Sequence, residues 1–416
     1  MDYFSYKDGE LHAEGVPISE IAREAGTPLF VYSAGAFSAR LSDIRDAFGP
    51  APVKVCYSVK AASNLALLKI VADLGMGADI VSGGELYRAL KAGIPASGIV
   101  FSGVGKTADE MREALDAGIM MFNLESEGEM ELLARVAADR GAVAPVSFRV
   151  NPDVDPHTHP YIATGLKESK FGIPWGEAPG LAARALSIPS LKLVGLDCHI
   201  GSQLVTAGPF SDAVRVLAGL VSELRAAGAD IRYLDIGGGL GITYRDESPP
   251  SPAEYAAAVA RALEGTGGLT LVLEPGRSVV GNACVLVSRV LYLKRTPAKS
   301  FVVVDAAMND LVRPSLYGAY HELRPVLTPA PGTPEAQVSV VGPVCESGDF
   351  LARDRELPPL SPGDLVAVFG AGAYGFSMSS NYNSRPRAAE ILVSGGSWRQ
   401  VRVRESYCDL TRGESL

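Results

Sequence analysis

Val53-Lys54-Val55-Cys56-Tyr57-Ser58-Val59-Lys60-Ala61 alternates apolar and polar side chains with a period of two. That is the pattern of a half-buried strand, and it predicts one over 53–59. Lys60 stands at its carboxyl end, ahead of a helical run that begins near Asn64. A lysine emerging from a buried strand end can be desolvated, which frees a neutral amine to attack aldehydes. The bland reading is a solvated lysine closing a strand. The rest of the chain decides between the two.

Similar strand signals recur near 78–81, 99–101, 119–123, 145–150, 193–199, 231–236 and 270–274, with helical segments between them. In one segment Phe210, Val214, Leu217, Val221 and Leu224 form an apolar face at helical spacing. Eight strands, each followed by a crossover, predict an α/β fold of the (β/α)8 TIM-type barrel kind; a doubly wound open sheet is the alternative. Beyond Glu274 the texture changes to short β runs at 285–287, 301–304, 338–341, 365–369 and 391–393, separated by proline- and glycine-rich turns. These predict a C-terminal all-β domain completed by the N-terminal strand Pro28–Tyr32. The expected division is a barrel over 33–275 and a β-domain from 1–32 and 276–416.

The chain has 416 residues, 47% hydrophobic and 20% charged, enough for a large core. A net charge of −9, with no basic run, argues against nucleic acid as a partner. The longest apolar candidate, Val279–Leu293, is interrupted by Arg289, so no membrane span is expected. The first residues lack signal-peptide character, which makes the cytoplasm the expected location. Cys56, Cys198, Cys284, Cys345 and Cys408 show no CxxC spacing and read as free thiols. His157 and His159 have no partners at ligand spacing, so no metal is expected.

Catalytic groups of barrels come from the carboxyl ends of the strands. Read in order, those ends give Lys60, then Asp79 with Ser82-Gly83-Gly84-Glu85, Arg149-Val150-Asn151, His199-Ile200-Gly201-Ser202-Gln203, Asp235-Ile236-Gly237-Gly238-Gly239 and Glu274-Pro275-Gly276-Arg277. Gly237, Gly238 and Gly239 either form an amide nest for an anion or make only a tight turn. Gly276 sits where barrels often bind phosphate. His199 either faces a ligand or is a satisfied core residue. Glu274 either engages a ligand's ring nitrogen or caps a strand end in a salt bridge with Arg277. In the second domain Cys345, in Cys345-Glu346-Ser347-Gly348-Asp349, lies in a polar turn that suits a reactive thiol. Arg313 can hold a carboxylate bidentately, and Tyr374 can reach a phosphate.

Taken together, Tyr57–Ala61, His199–Gln203, Gly237–Gly239, Glu274–Arg277, Met308–Pro314, Cys345–Asp349 and Ala373–Asn383 resemble the meso-diaminopimelate decarboxylases. The likeness spans nearly the whole chain. It implies a pyridoxal 5'-phosphate cofactor, an amino-acid substrate, and release of carbon dioxide from meso-2,6-diaminopimelate to leave L-lysine. Carried over position by position, it implies that Lys60 holds the cofactor's aldehyde and that His199 stacks on its ring. Ser202, Gly237, Gly238, Gly239, Gly276, Arg277 and Tyr374 cradle the phosphate, with Glu274 on the pyridine nitrogen. Arg277, Arg313, Tyr317, Glu346 and Tyr374 contact substrate. Cys345 donates a proton across a homodimer interface with shared active sites. Ala62 and Ala307 depart from the family pattern, where many members have asparagine and glycine. Rival readings are a same-fold decarboxylase of ornithine, arginine or carboxynorspermidine, an alanine racemase, and a non-catalytic cofactor-binding homologue. Glu274 disfavours the racemase, and the combination of Cys345, Arg313 and Glu346 disfavours the binder.

Overall fold

The structure is a computed structural model, in which residues 3–154 and 170–416 are described. His157 and His159 lie outside the described residues. The chain forms two compact units: Arg40–Ile242 with Ser248–Ser278, and Met1–Ala39 with Thr243–Glu247 and Val279–Leu416.

The first unit is a closed parallel barrel. Its strands are β1 (Val53–Ser58), β2 (Gly77–Ile80), β3 (Ile99–Phe101), β4 (Met121–Leu124), β5 (Ala144–Asn151), β6 (Leu191–Asp197), β7 (Tyr233–Asp235) and β8 (Thr270–Leu273). They pair in sequence order, β8 returns to β1 through Leu273↔Val55, and the short segment Ile173–Pro174 adds to β5. The expected strands are all present, with ends shifted by up to two residues. Strands buried on both faces read as near-continuous apolar runs, and β2, β3 and β4 are buried throughout.

Side-chain caps start several of the intervening helices. Thr107 and Glu110 form a reciprocal capping box at Ala108–Ala117; Ser251 and Glu254 do the same at Pro252–Ala262, with Pro252 in the first turn. On the helix Gly208–Ala226 the face predicted from spacing is the one that packs: Phe210, Val214, Leu217, Val221 and Leu224 are all buried. Register matters most at the carboxyl ends. Pairing sets Ser58 opposite Asp79, Arg149 opposite Asp197, and Asp197 opposite Asp235.

The second unit is built on a mixed sheet in the order Phe350–Leu357, Ala336–Val341, Ser300–Val304, Cys284–Arg295, Leu29–Ser33, Ala389–Ser394, Ser397–Arg402. The N-terminal strand therefore lies inside the sheet, antiparallel to Cys284–Arg295 and parallel to Ala389–Ser394. Leu323–Pro325 and Leu365–Val368 pair with each other, and the latter also joins Cys284–Arg295. The apolar run from 279 is thus largely a sheet strand, and among the described residues no helix is long and apolar enough to cross a membrane. The unit is not purely β: it also carries helices at Ile18–Ala25, Arg313–Tyr317 and Tyr407–Leu410.

Leu217 has no exposed surface, whereas Val143 is 56% exposed. Leu217→Ala should lower unfolding free energy by about 2–5 kcal/mol, seen as a lower denaturant midpoint at unchanged slope. Val143→Ala should stay within about 0.5 kcal/mol of the parent.

Candidate active site

Lys60 lies just beyond β1, in the single 3-10 turn Val59–Ala61 rather than in the strand itself. Its side chain is neither fully solvated nor fully dry. Lys60 Nζ is 2.6 Å from Asp79 Oδ2, with the lysine side chain 34% exposed and Asp79 wholly buried. Ser58 Oγ shares its hydrogen between Asp79 Oδ2 (2.8 Å) and the Glu274 carbonyl (3.0 Å). Since a buried carboxylate needs a charged or hydrogen-bonding partner, Asp79 fixes where the lysine can rest. Ser82 caps the next helix by accepting from the Glu85 amide, and Glu85 Oε2 accepts from the Val81 amide. Burial first, then Asp79, pushes the Glu85 carboxyl up to about 7 against its bond from the Val81 amide and the pull of Lys60.

The ends of β6, β7 and β8 bring three buried carboxyls together. Ligand oxygens of Asp197, Asp235 and Glu274 all lie within 4.8 Å of one another. Asn123 Nδ2 donates to Asp235 Oδ2 at 3.3 Å and to Ser102 Oγ at 3.2 Å; Ser102 Oγ donates to Glu274 Oε1 at 3.2 Å. Arg149, held by Glu125 at 2.9 Å, approaches Asp197 to 3.9 Å. Burial foremost, then mutual repulsion, raises Asp197 and Asp235 well above the usual carboxylate range. Glu274 is pushed up to about 7 by burial and by Asp79, opposed by Lys60, by a hydrogen bond with Asp235 and by Arg149. Asp235 therefore keeps a proton and donates a hydrogen bond to Glu274. Among the described residues, Asp79 Oδ1 and Asp197 Oδ1 are buried without a protein partner.

His199 follows β6 and accepts from the Gly238 amide through Nδ1 at 3.2 Å. Nδ1 is therefore the bare nitrogen, and Nε2 carries the hydrogen. Burial first, then Arg149 and Lys60, holds the ring well below the ordinary histidine range, so it is neutral. The glycines have a definite structural reason. A Cβ on Gly237, at φ 66°, would sit 2.7 Å from both the Cys198 carbonyl and His199 Nδ1, and one on Gly238 would sit 2.3 Å from the Glu274 carbonyl. The amides of Gly237 and Gly238 are committed to Asp235 Oδ1 and His199. Those of Gly239 and of buried Gly276 donate to no acceptor among the described residues. Beside them Arg277, buried, donates through Nε and Nη2 to Ser202 Oγ at 3.1 and 3.0 Å, rather than to Glu274. Two open amides, a hydroxyl and a guanidinium suit a phosphate. An amine at the rim and a buried carboxyl beneath it suit the aldehyde and ring nitrogen of pyridoxal phosphate, so the residues fit that group.

The remaining expected residues belong to the β-domain. Arg313 is buried, its Nη1 2.9 Å from His321 Nε2 and its guanidinium 4.8 Å from the centre of the Tyr244 ring. Tyr317 is half-buried at the end of the same short helix, and Tyr374 is half-buried at φ 58°. Cys345 and Glu346 are exposed on a loop that four hydrogen bonds pin down. Asp349 accepts from the Met308 and Val344 amides at 2.7 Å each; Asn383 Oδ1 accepts from the Cys345 amide at 2.8 Å; Ser315 Oγ donates to the Gly348 carbonyl at 2.6 Å. Arg149, Asp197, Asp235, Tyr244, His321 and Asp349 were not singled out as site residues from sequence. The first three stood at or beside strand ends, where a charged residue is itself the signal. Tyr244 and His321 carry no local signal.

Three comparisons with known proteins agree. Residues 34–281 match the pyridoxal-dependent decarboxylase family, pyridoxal-binding domain. The chain is 55% identical over 416 residues to a diaminopimelate decarboxylase from Pseudomonas aeruginosa, covering 100% of this chain and 99% of the relative. It is 51% identical to one from Vibrio cholerae, covering 100% and 99%. Among solved structures, the diaminopimelate decarboxylase from Helicobacter pylori complexed with L-lysine superposes with a TM-score of 0.91 at 43% identity, covering 95% of this chain and 98% of that one. The enzyme from M. jannaschii gives 0.94 at 39%, covering 100% and 98%.

The raised carboxyls make a pH prediction for the ligand-free protein. Glu274 shifts from 4.5 to about 7 on folding, so the folded state holds a proton that the unfolded state releases above 4.5. Its stabilising effect is present below about 4.5 and is lost as pH rises through about 7. Glu274→Gln should therefore make stability fall less steeply across that window, measured as denaturation midpoint against pH.

Proposed function

The chain belongs to the diaminopimelate decarboxylase family of pyridoxal-dependent decarboxylases, and on that premise we propose how its residues divide the reaction. It removes carbon dioxide from meso-2,6-diaminopimelate and leaves L-lysine. The observation that carries the assignment of roles is Glu274, a buried carboxyl at the end of β8 within a shared-proton cluster. A carboxylate that accepts a hydrogen bond from protonated Asp235 can face a ring nitrogen as an anion, and that favours an electron-withdrawing ring.

Lys60 would hold the aldehyde, and Glu274 would face the ring nitrogen. His199, neutral, would pack on the ring. The phosphate would be held by the Gly239 and Gly276 amides in the Gly237–Gly239 and Gly276–Arg277 turns, by Ser202, and by Tyr374. Bound there, the cofactor supplies an electron sink for the bond pair left when carbon dioxide departs. Asp79 would hold the Lys60 amine in place between turnovers. Arg277, Arg313, Tyr317 and Glu346 recognise the amino-acid end that is not decarboxylated: the arginines take its carboxylate and Glu346 its ammonium. Cys345 Sγ gives its proton to the carbon that has lost carbon dioxide and regains one from solvent.

We further propose a homodimer in which Cys345 and Glu346 serve the partner's barrel. Supporting this, both are exposed on a loop that Asp349 and Asn383 hold in a fixed conformation. The five unpaired thiols support a cytoplasmic location.

Purified protein with pyridoxal phosphate should release carbon dioxide and L-lysine from meso-diaminopimelate; faster turnover of L-ornithine would move the assignment to a sister activity. Lys60→Ala and Cys345→Ala homodimers should each be nearly inactive. Mixed and exchanged at random, half the dimers are hybrids with one intact site of two, so activity should return to roughly a quarter of wild type. No recovery after exchange confirmed by mass spectrometry would return Cys345 to its own subunit's site or remove it from catalysis.

A further inference from the structure

His321 is wholly buried in the β-domain and takes no part in the roles assigned above. Its Nδ1 lies 2.9 Å from the Phe369 carbonyl, and its Nε2 lies 2.9 Å from Arg313 Nη1. A carbonyl only accepts and a guanidinium only donates. Both contacts are satisfied by one state of the ring, the neutral tautomer with its hydrogen on Nδ1. A second hydrogen would point Nε2–H at an N–H of Arg313, and the other neutral tautomer would leave Nδ1 and the carbonyl as two facing acceptors.

The anchor is itself fixed. The Phe369 amide donates to the Glu322 carbonyl at 2.8 Å, next to the ladder between Leu323–Pro325 and Leu365–Val368. Tyr244 completes the clamp. Its ring meets His321 edge to face, with centroids 5.4 Å apart at 77°, and lies 4.8 Å from the Arg313 guanidinium. Tyr244 is seated in turn against Gly370, where a Cβ would come within 3.1 Å of its ring. Arg313 is thus gripped at one nitrogen and on one face while only 6% exposed.

We propose that His321 is a positioning residue that determines specificity for a substrate with an α-amino-acid carboxylate, by presetting Arg313 as its receptor. The inference rests on the reading that Arg313 meets that carboxylate. An unheld arginine loses rotamer freedom when it closes on a ligand, whereas one held beforehand keeps that loss out of the binding step. A diamine without the carboxylate makes no use of the arrangement, so the network favours amino acids over amines.

The test uses the cofactor-loaded enzyme and two ligands, L-lysine and 1,5-diaminopentane, which lacks the carboxylate. In calorimetric titrations His321→Leu should weaken L-lysine about tenfold and leave 1,5-diaminopentane within about twofold. In turnover the same variant should raise KM for diaminopimelate about tenfold with kcat little changed. His321→Gln, whose amide oxygen reaches the Nε2 position, should bind L-lysine within about threefold of wild type. His321→Asn retains the bond to Phe369 but is too short to reach Arg313. It should resemble His321→Leu, and it carries the test if that variant does not fold. Unchanged L-lysine affinity in His321→Leu or His321→Asn, while Arg313→Lys binds L-lysine weakly, overturns the proposal. So does an equal loss for both ligands. If Arg313→Lys also binds L-lysine normally, the assignment of Arg313 itself falls and this inference falls with it.

Discussion

The barrel end is governed by how few cations accompany its buried acids. Asp79, Asp197, Asp235 and Glu274 converge there, while Lys60 and Arg149 are the cations that act on them. Carboxyls this close and this dry cannot all ionise, because each added charge is repelled by its neighbours and unsolvated. The tension is relieved in three ways. Lys60 is drawn onto Asp79, Arg149 pairs with Glu125 and approaches Asp197, and protons stay within the cluster of Asp197, Asp235 and Glu274. The neutrality of His199 follows from the same arrangement, since burial and the two nearby cations disfavour a third positive charge.

The β-domain solves a different problem. Cys345 and Glu346 are exposed, so burial does not orient them; hydrogen bonds to the backbone do. One carboxylate, Asp349, takes amides from two separate segments, and Asn383 takes a third. Such contacts hold a loop's conformation without surrounding its side chains.

Much of the barrel was legible because parallel strands and amphipathic helices write periodic patterns. The face of Phe210, Val214, Leu217, Val221 and Leu224 is one case, and the polar strand ends are another. Pairings between strands were less visible. Asp79 stood at a strand end, but its union with Lys60 depends on Ser58 lying opposite it in the ladder, a register no local pattern states. Arg149 and Asp197 likewise meet only because β5 and β6 adjoin. The glycine run read as two possibilities: Gly237 and Gly238 answer to backbone crowding, while the open amides belong to Gly239 and, outside the run, to Gly276. His321 and Tyr244 escaped notice because a buried histidine and a packed tyrosine look alike in sequence whatever they hold.

The strand Cys284–Arg295 pairs along its length with Leu29–Ser33, Ser300–Val304 and Leu365–Val368. The N-terminal strand reaches its other neighbour only at Ala389–Ser394. During synthesis, then, a strand that emerges before the whole barrel is among the last to be completed. Every barrel strand is made before its first partner exists, and its second arrives near the end of the chain. Closing that sheet joins segments hundreds of residues apart, a contact order that slows folding. Until then Leu29-Phe30-Val31-Tyr32 waits as an unpaired apolar edge, the kind of surface that nascent chains shield with chaperones or lose to aggregation.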